Sequence, residues 1–154
     1  MSETLIPDLL DALVAIWTAD PTLAGYGTRL RVFDGPPITD RAAEIELWVG
    51  ATGLESDEEV IVFNQSRADF DGDRDETLTV SNAVWVANGT HDIAAARRLA
   101  VAVYAAAAST VRISTLGVSG VMALDVTDGR LRQGQFDTGV GCVLTFDVAA
   151  VCTL

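Results

Sequence analysis

The side chains that could carry chemistry are a lone histidine, a run of carboxylates, a glycine-rich stretch and two cysteines, and each has a motif requirement that can be checked. The chain holds one histidine, His91, so no histidine pair can hold zinc and no second imidazole can relay protons. His91 follows Thr90 where a helix is expected to start, which places it on the surface of a first turn. A general base must lie within hydrogen-bond reach of a nucleophile, and none stands at a motif spacing from it. The run Asp69-Phe70-Asp71-Gly72-Asp73-Arg74-Asp75-Glu76 alternates carboxylates that could converge on calcium. An EF-hand loop needs glycine at its sixth position and a bidentate acid at its twelfth. Counted from Asp69, those places hold Arg74 and Val80, and Arg67 and Arg74 offset part of the charge, so the run reads as a solvated loop. The stretch from Arg132 to Gly141 lacks the lysine followed by Ser or Thr of a phosphate loop, and no helix follows it; strand twists or bulges are its expected role. No catalytic residue, metal site or cofactor is assigned.

Cys142 and Cys152 share parity on one expected C-terminal strand, where the rise per residue separates them by about 33 Å. A disulfide needs Cα atoms within about 7 Å, so both are expected as buried thiols. Trp17, Trp48 and Trp85 sit in periodic apolar segments, where core packing is the ordinary role and a sugar-binding platform the alternative.

The elements that would position these groups follow from hydrophobic period. Ile6, Leu9, Leu10, Leu13, Val14 and Trp17 form one face of a helix expected over 3–16, capped by Ser2 or Thr4, with Pro7 in its first turn. Asp20-Pro21 and Gly25-Tyr26-Gly27 end it. Strands are expected over 29–33, 45–50, 59–63 and 78–87. The last alternates Leu78, Val80, Asn82, Val84 and Val86 against Thr79, Ser81, Ala83 and Trp85. Asp34-Gly35-Pro36-Pro37-Ile38-Thr39-Asp40 reads as an extended exposed loop, because its prolines cannot donate to a ladder. A second helix, capped by Thr90 and with Asp92 at its positive end, carries Ile93, Ala96, Leu99, Ala100, Val103, Tyr104, Ala107 and Val111 on its buried face. Its other flanks are largely alanine, which permits close approach of a neighbour. Strands resume at Val121, with a hairpin expected at Asp128-Gly129. The order, without regular βαβ alternation, implies one α+β domain over 1–154. Its sheet is mixed but mostly antiparallel, with the N-terminal and long central helices packed on one face.

The chain has 154 residues, enough for a real core, and a net charge of −12 that opposes phosphate binding by counterion release. No apolar run approaches the roughly 20 residues of a membrane span. The acidic start lacks the basic region of a secretory signal, so assembly in cytoplasm is expected.

In this order of segments the chain resembles the tail terminator proteins of long-tailed, siphovirus-type bacteriophages, particularly those infecting actinobacteria. The stretches that carry the likeness are Trp17-Thr18-Ala19-Asp20-Pro21 after the first helix and Val32-Phe33-Asp34-Gly35-Pro36-Pro37 leading to Leu47-Trp48-Val49-Gly50. The alanine-rich helix and Gly129-Arg130-Leu131-Arg132-Gln133-Gly134-Gln135 complete them. The resemblance implies a structural virion protein and not an enzyme: a hexameric ring at the neck that caps the head-proximal end of the tail tube. Such a ring stops polymerisation of the major tail protein, offers a docking surface to head-completion or connector proteins, and passes DNA without specific binding or any membrane contact. A closing interface between copies then draws on Ala102 and Ala106 of the central helix and on Pro36 and Pro37 of the loop. Asp69, Asp71, Asp73 and Asp75 are expected to face the lumen or an axial partner. The alternatives are a head-tail connector or minor tail protein of the same virion, and a small ligand-binding module.

Overall fold

The computed structural model describes residues 3–38, 43–54, 59–67, 72–87, 92–136 and 139–154. The amphipathic N-terminal spacing closes into α1 (Ile6–Ala19), with Leu9, Leu13 and Trp17 fully buried. It begins and ends later than the expected 3–16. A short helix α2 (Pro21–Ala24) follows, because the Asp20 carboxylate accepts from the Leu23 N–H at 3.0 Å and Pro21 is suited to a first turn. The strands are β1 (Leu30–Asp34), β2 (Ile45–Val49), β3 (Ile61–Arg67), β4 (Arg74–Ala87), β5 (Val121–Phe136) and β6 (Gly139–Thr153), with α3 (Ile93–Arg112) between β4 and β5.

The strands form one sheet in the order β1-β2-β4-β6-β5. Strand β4 is long enough to pair with β6 along one edge and with both β3 and β2 along the other, β3 against its first half and β2 against its second. All pairs are antiparallel except β1 with β2. The fold is therefore α+β with a mixed, mostly antiparallel sheet. Even-numbered residues of β4 and β6 face the helices: Leu78, Val80, Val84 and Val86 meet Leu144, Phe146, Val148 and Ala150. Phe146 lies edge-on to Trp17 of α1 at 5.8 Å and to Tyr104 of α3 at 5.2 Å, so both helices pack on this one face. Ala96, Ala100, Ala107 and Ala108 are fully buried there, and their small side chains bring the α3 backbone close to the strands.

Several sequence expectations change. Asp128-Gly129 is not a hairpin turn: β5 continues through it, both halves paired to β6, with one extra residue between Thr127 and Arg130. That extra residue reverses the side-chain parity of β5, so that Val126 opposite Val148 and Leu131 opposite Leu144 stay on the same face. A regular strand would turn Leu131 outward. The bulges fall at Val121/Ala123 and Thr127/Arg130, whereas Gly134 simply pairs with Gly141.

The acidic run is not all loop. Strand β4 begins at Arg74, so Asp75 lies in the ladder opposite Thr153 and Ser66, and Glu76 is buried. Pairing on both edges holds these residues extended despite their weak strand preference. Glu76 reaches α1, whose N-cap residue Leu5 has no capping side chain: its Oε1 accepts from the Leu5 N–H at 2.8 Å and the Thr4 hydroxyl at 3.0 Å. Its Oε2 accepts from Gln65 Nε2 at 2.6 Å. The Thr4 hydroxyl in turn accepts from the Ile6 N–H at 3.3 Å, so the expected Thr4 contact at the helix start is present and is backed by a carboxylate on the sheet, at the positive end of the helix dipole. Asp92, not Thr90, caps α3, accepting from the Ala95 N–H at 3.0 Å. Ser2, Thr90 and His91 lie outside the described residues.

Candidate interaction surfaces

Cys142 and Cys152 are free and buried on the helix-facing side of β6, as expected, and burial pushes both thiols up from their ordinary pKa. Among the described residues no three His, Cys, Asp or Glu side chains gather to hold a metal, and no helix is long and apolar enough to cross a membrane.

Trp17 is a core residue, its indole N–H donating to the Ala107 carbonyl at 3.1 Å. Trp48 and Trp85 are not in that core. They lie half-buried on the opposite, helix-free face of β2 and β4, stacked with centroids 5.4 Å apart. Each alternates with the buried residues of its own strand, Trp48 with Leu47 and Val49 and Trp85 with Val84 and Val86, and that opposite phase is the sequence signal for this. Residues 51–54 cross over the pair. Trp85 Nε1 donates to the Thr52 carbonyl at 3.0 Å, and a Cβ at Gly53, whose φ is +71°, would run into the Trp48 ring. The indoles are thus roofed by the chain itself and do not form an open sugar platform.

Beside this roof a polar cleft of about 370 Å³ is lined by Thr52, Leu54, Ser81, Asp128, Arg130, Thr145 and Asp147. Ser81 donates its hydroxyl to Asp147 at 2.8 Å. Burial raises the Asp147 pKa, helped by nearby Asp128 and opposed by the Ser81 hydrogen bond and Arg130. The β5 bulge brings Asp128 and Arg130 there, a position that strand periodicity could not place.

The expected interface residues separate into two regions. Ala102 is exposed on α3 and lines a mainly apolar cleft of about 410 Å³ with Ala95, Arg98, Leu99, Arg29 and Glu44. Arg29 Nε meets Glu44 at 2.9 Å on its rim, and this hydrogen bond first, with the attraction of opposite charge, lowers the Glu44 pKa. Ala106, one turn on, is half-buried against the core and offers less surface. Pro36 is exposed and Pro37 half-buried beyond β1, and Ile38 after them is 103% exposed. Arg98 was missed by sequence reasoning, since it lies on no periodic face, whereas Ile38 was read as part of the exposed loop without being singled out. Of the acidic run, Asp69 and Asp71 fall outside the described residues; Asp73 is exposed before β4, and Asp75 is exposed within it. The two described acids therefore project from the β3–β4 end of the sheet.

This architecture recurs in a known assembly. A chain in the virion of a native gene transfer agent particle shares the fold from end to end, with a TM-score of 0.62, 15% identity, and coverage of 99% of this chain and 98% of that one. No protein-family model matches the sequence. No curated protein matches it either.

Proposed function

We propose that the chain is a structural protein of a tailed, phage-like virion that forms a hexameric ring on the head-proximal end of the tail tube. The ring would block further addition of the major tail protein and present its other face to head-completion or connector proteins. The observation that carries this reading is the end-to-end likeness of fold to a chain of the gene transfer agent virion. The segment order resembling tail terminators narrows it to the neck. The mechanism is steric and needs no turnover: one ring face matches the tube end, and the other cannot recruit another tube subunit. The net charge of −12 suits a passage for DNA, since a wall that repels phosphate does not retain a duplex. In this reading Asp73 and Asp75 face the lumen or an axial partner, and assembly takes place in the host cytoplasm.

The same fold likeness also supports a head-tail connector or minor tail protein, and tail length separates these roles. Deleting the gene for a terminator gives overlong tubes, whereas deleting a head-side connector gives free tails of normal length. Normal-length tails from the deletion would overturn the terminator role.

A further inference from the structure

We infer that copies of this chain join head to tail, the Ile38 side chain of one copy seated in the Ala95–Leu99–Ala102 cleft of the next. This rests on the reading that the chain self-assembles, and it names the surfaces. Ile38 is 103% exposed, so it packs against none of the described residues, and it stands on Pro36-Pro37, whose fixed φ angles stiffen the stem. A bare isoleucine on a rigid stem has the form of a knob, and the α3 cleft is a mainly apolar hollow suited to an aliphatic side chain.

Strand direction keeps the two apart within one molecule. Because β1 and β2 run parallel, Arg29 and Glu44 lie together at their starting end, where the cleft opens. Asp34 and Gly35 lie at the finishing end, where the Gly35 N–H donates to the Val49 carbonyl at 2.8 Å. Three residues beyond Gly35 reach back at most about 10 Å, against about 16 Å for a five-residue strand. Ile38, fully exposed, accordingly lies clear of the cleft of its own chain. A knob and a hollow at opposite ends make a heterologous contact, which propagates from copy to copy and closes into a ring when the rotation allows. Charge agrees: Asp34 is exposed beside the knob, and Arg98 at the hollow has no ion-pair partner among the described residues.

The test mixes full-length Ile38→Cys with full-length Ala102→Cys and adds a short bis-maleimide. The native Cys142 and Cys152 are fully buried and do not compete in the folded protein. A covalent dimer that forms only in the mixture, with covalent chains longer than two from the double variant, is the expected result. Ile38→Asp, checked for folding by circular dichroism, is expected to weaken self-association about tenfold or more. No dimer above that from an Ile113→Cys and Ala102→Cys control pair overturns the inference. If wild-type protein still forms rings by light scattering in that case, self-assembly stands and only this contact fails. If wild-type protein also stays monomeric and leaves tube growth unchanged, the proposed function fails with it.

Discussion

Replacing Glu76 with alanine removes the carboxylate that joins the start of α1 to the centre of the sheet. The Leu5 N–H and the Thr4 hydroxyl lose this acceptor, and the Gln65 amide keeps only the Glu3 carbonyl at 2.6 Å. The Leu5 contact is buried, and a buried donor left unsatisfied costs about 1–3 kcal/mol. Thr4 and Gln65 are only partly buried and can turn to water. Loss of the anion at the helix dipole adds about 0.5 kcal/mol. Together these give a loss of about 2–3 kcal/mol, which lowers the melting temperature of a domain this size by about 7 °C. Glu76→Gln keeps an acceptor for Leu5 and Thr4 but turns an amide toward Gln65, so its loss is smaller. Thermal unfolding followed by circular dichroism measures both, and amide exchange at the first turn of α1 should quicken in step. A Glu76→Ala protein melting within about 2 °C of wild type would refute the view that this carboxylate holds the helix in place.

Other consequences follow from buried groups. Asp147 has a pKa raised above its ordinary 3.8, so the folded protein holds that proton to higher pH than the unfolded chain does. The stability it contributes is therefore full below 3.8 and is lost as pH rises through the folded value. Asp147→Asn should melt higher than wild type at neutral pH and lose that advantage in acid, as paired melting curves will show. Glu44 has the opposite sign: its pKa is lowered below 4.5 by Arg29, so its contribution is present above that value and fades as pH falls. Gly53→Ala combines a side chain at positive φ with a clash against Trp48, and urea unfolding should show a loss of about 2–4 kcal/mol. Both thiols should resist a water-soluble maleimide in the native protein and react fully in denaturant; rapid native labelling would contradict their burial.

The parts of the fold written in local sequence were legible, and the parts decided by distant partners were not. The spacing of Leu9, Leu13 and Trp17 and the alternation along β4 each name an element and its buried face, because one period suffices. Glu76 reads as a loop acid, since its partner Leu5 lies far away in sequence and nothing nearby marks a cap. Asp128-Gly129 carries the composition of a hairpin turn, yet β6 offers both halves of β5 a continuous ladder and the dipeptide becomes a bulge. The parallel pairing of β1 with β2, which sets Ile38 and the α3 cleft at opposite ends, leaves no local mark at all. Of the candidate interface, Ala102 was accessible from helix composition and the exposure of Ile38 from the two prolines before it, but the placing of Arg98 beside the cleft depends on the finished surface.

The most direct test of the central claim is the mass of the purified chain by light scattering over a wide range of concentration. The account predicts a single closed species about six times the 16.3 kDa protomer mass. A mass fixed at one protomer throughout in a protein that also leaves tube growth unchanged, or a mass that climbs without limit as open filaments grow, would contradict it.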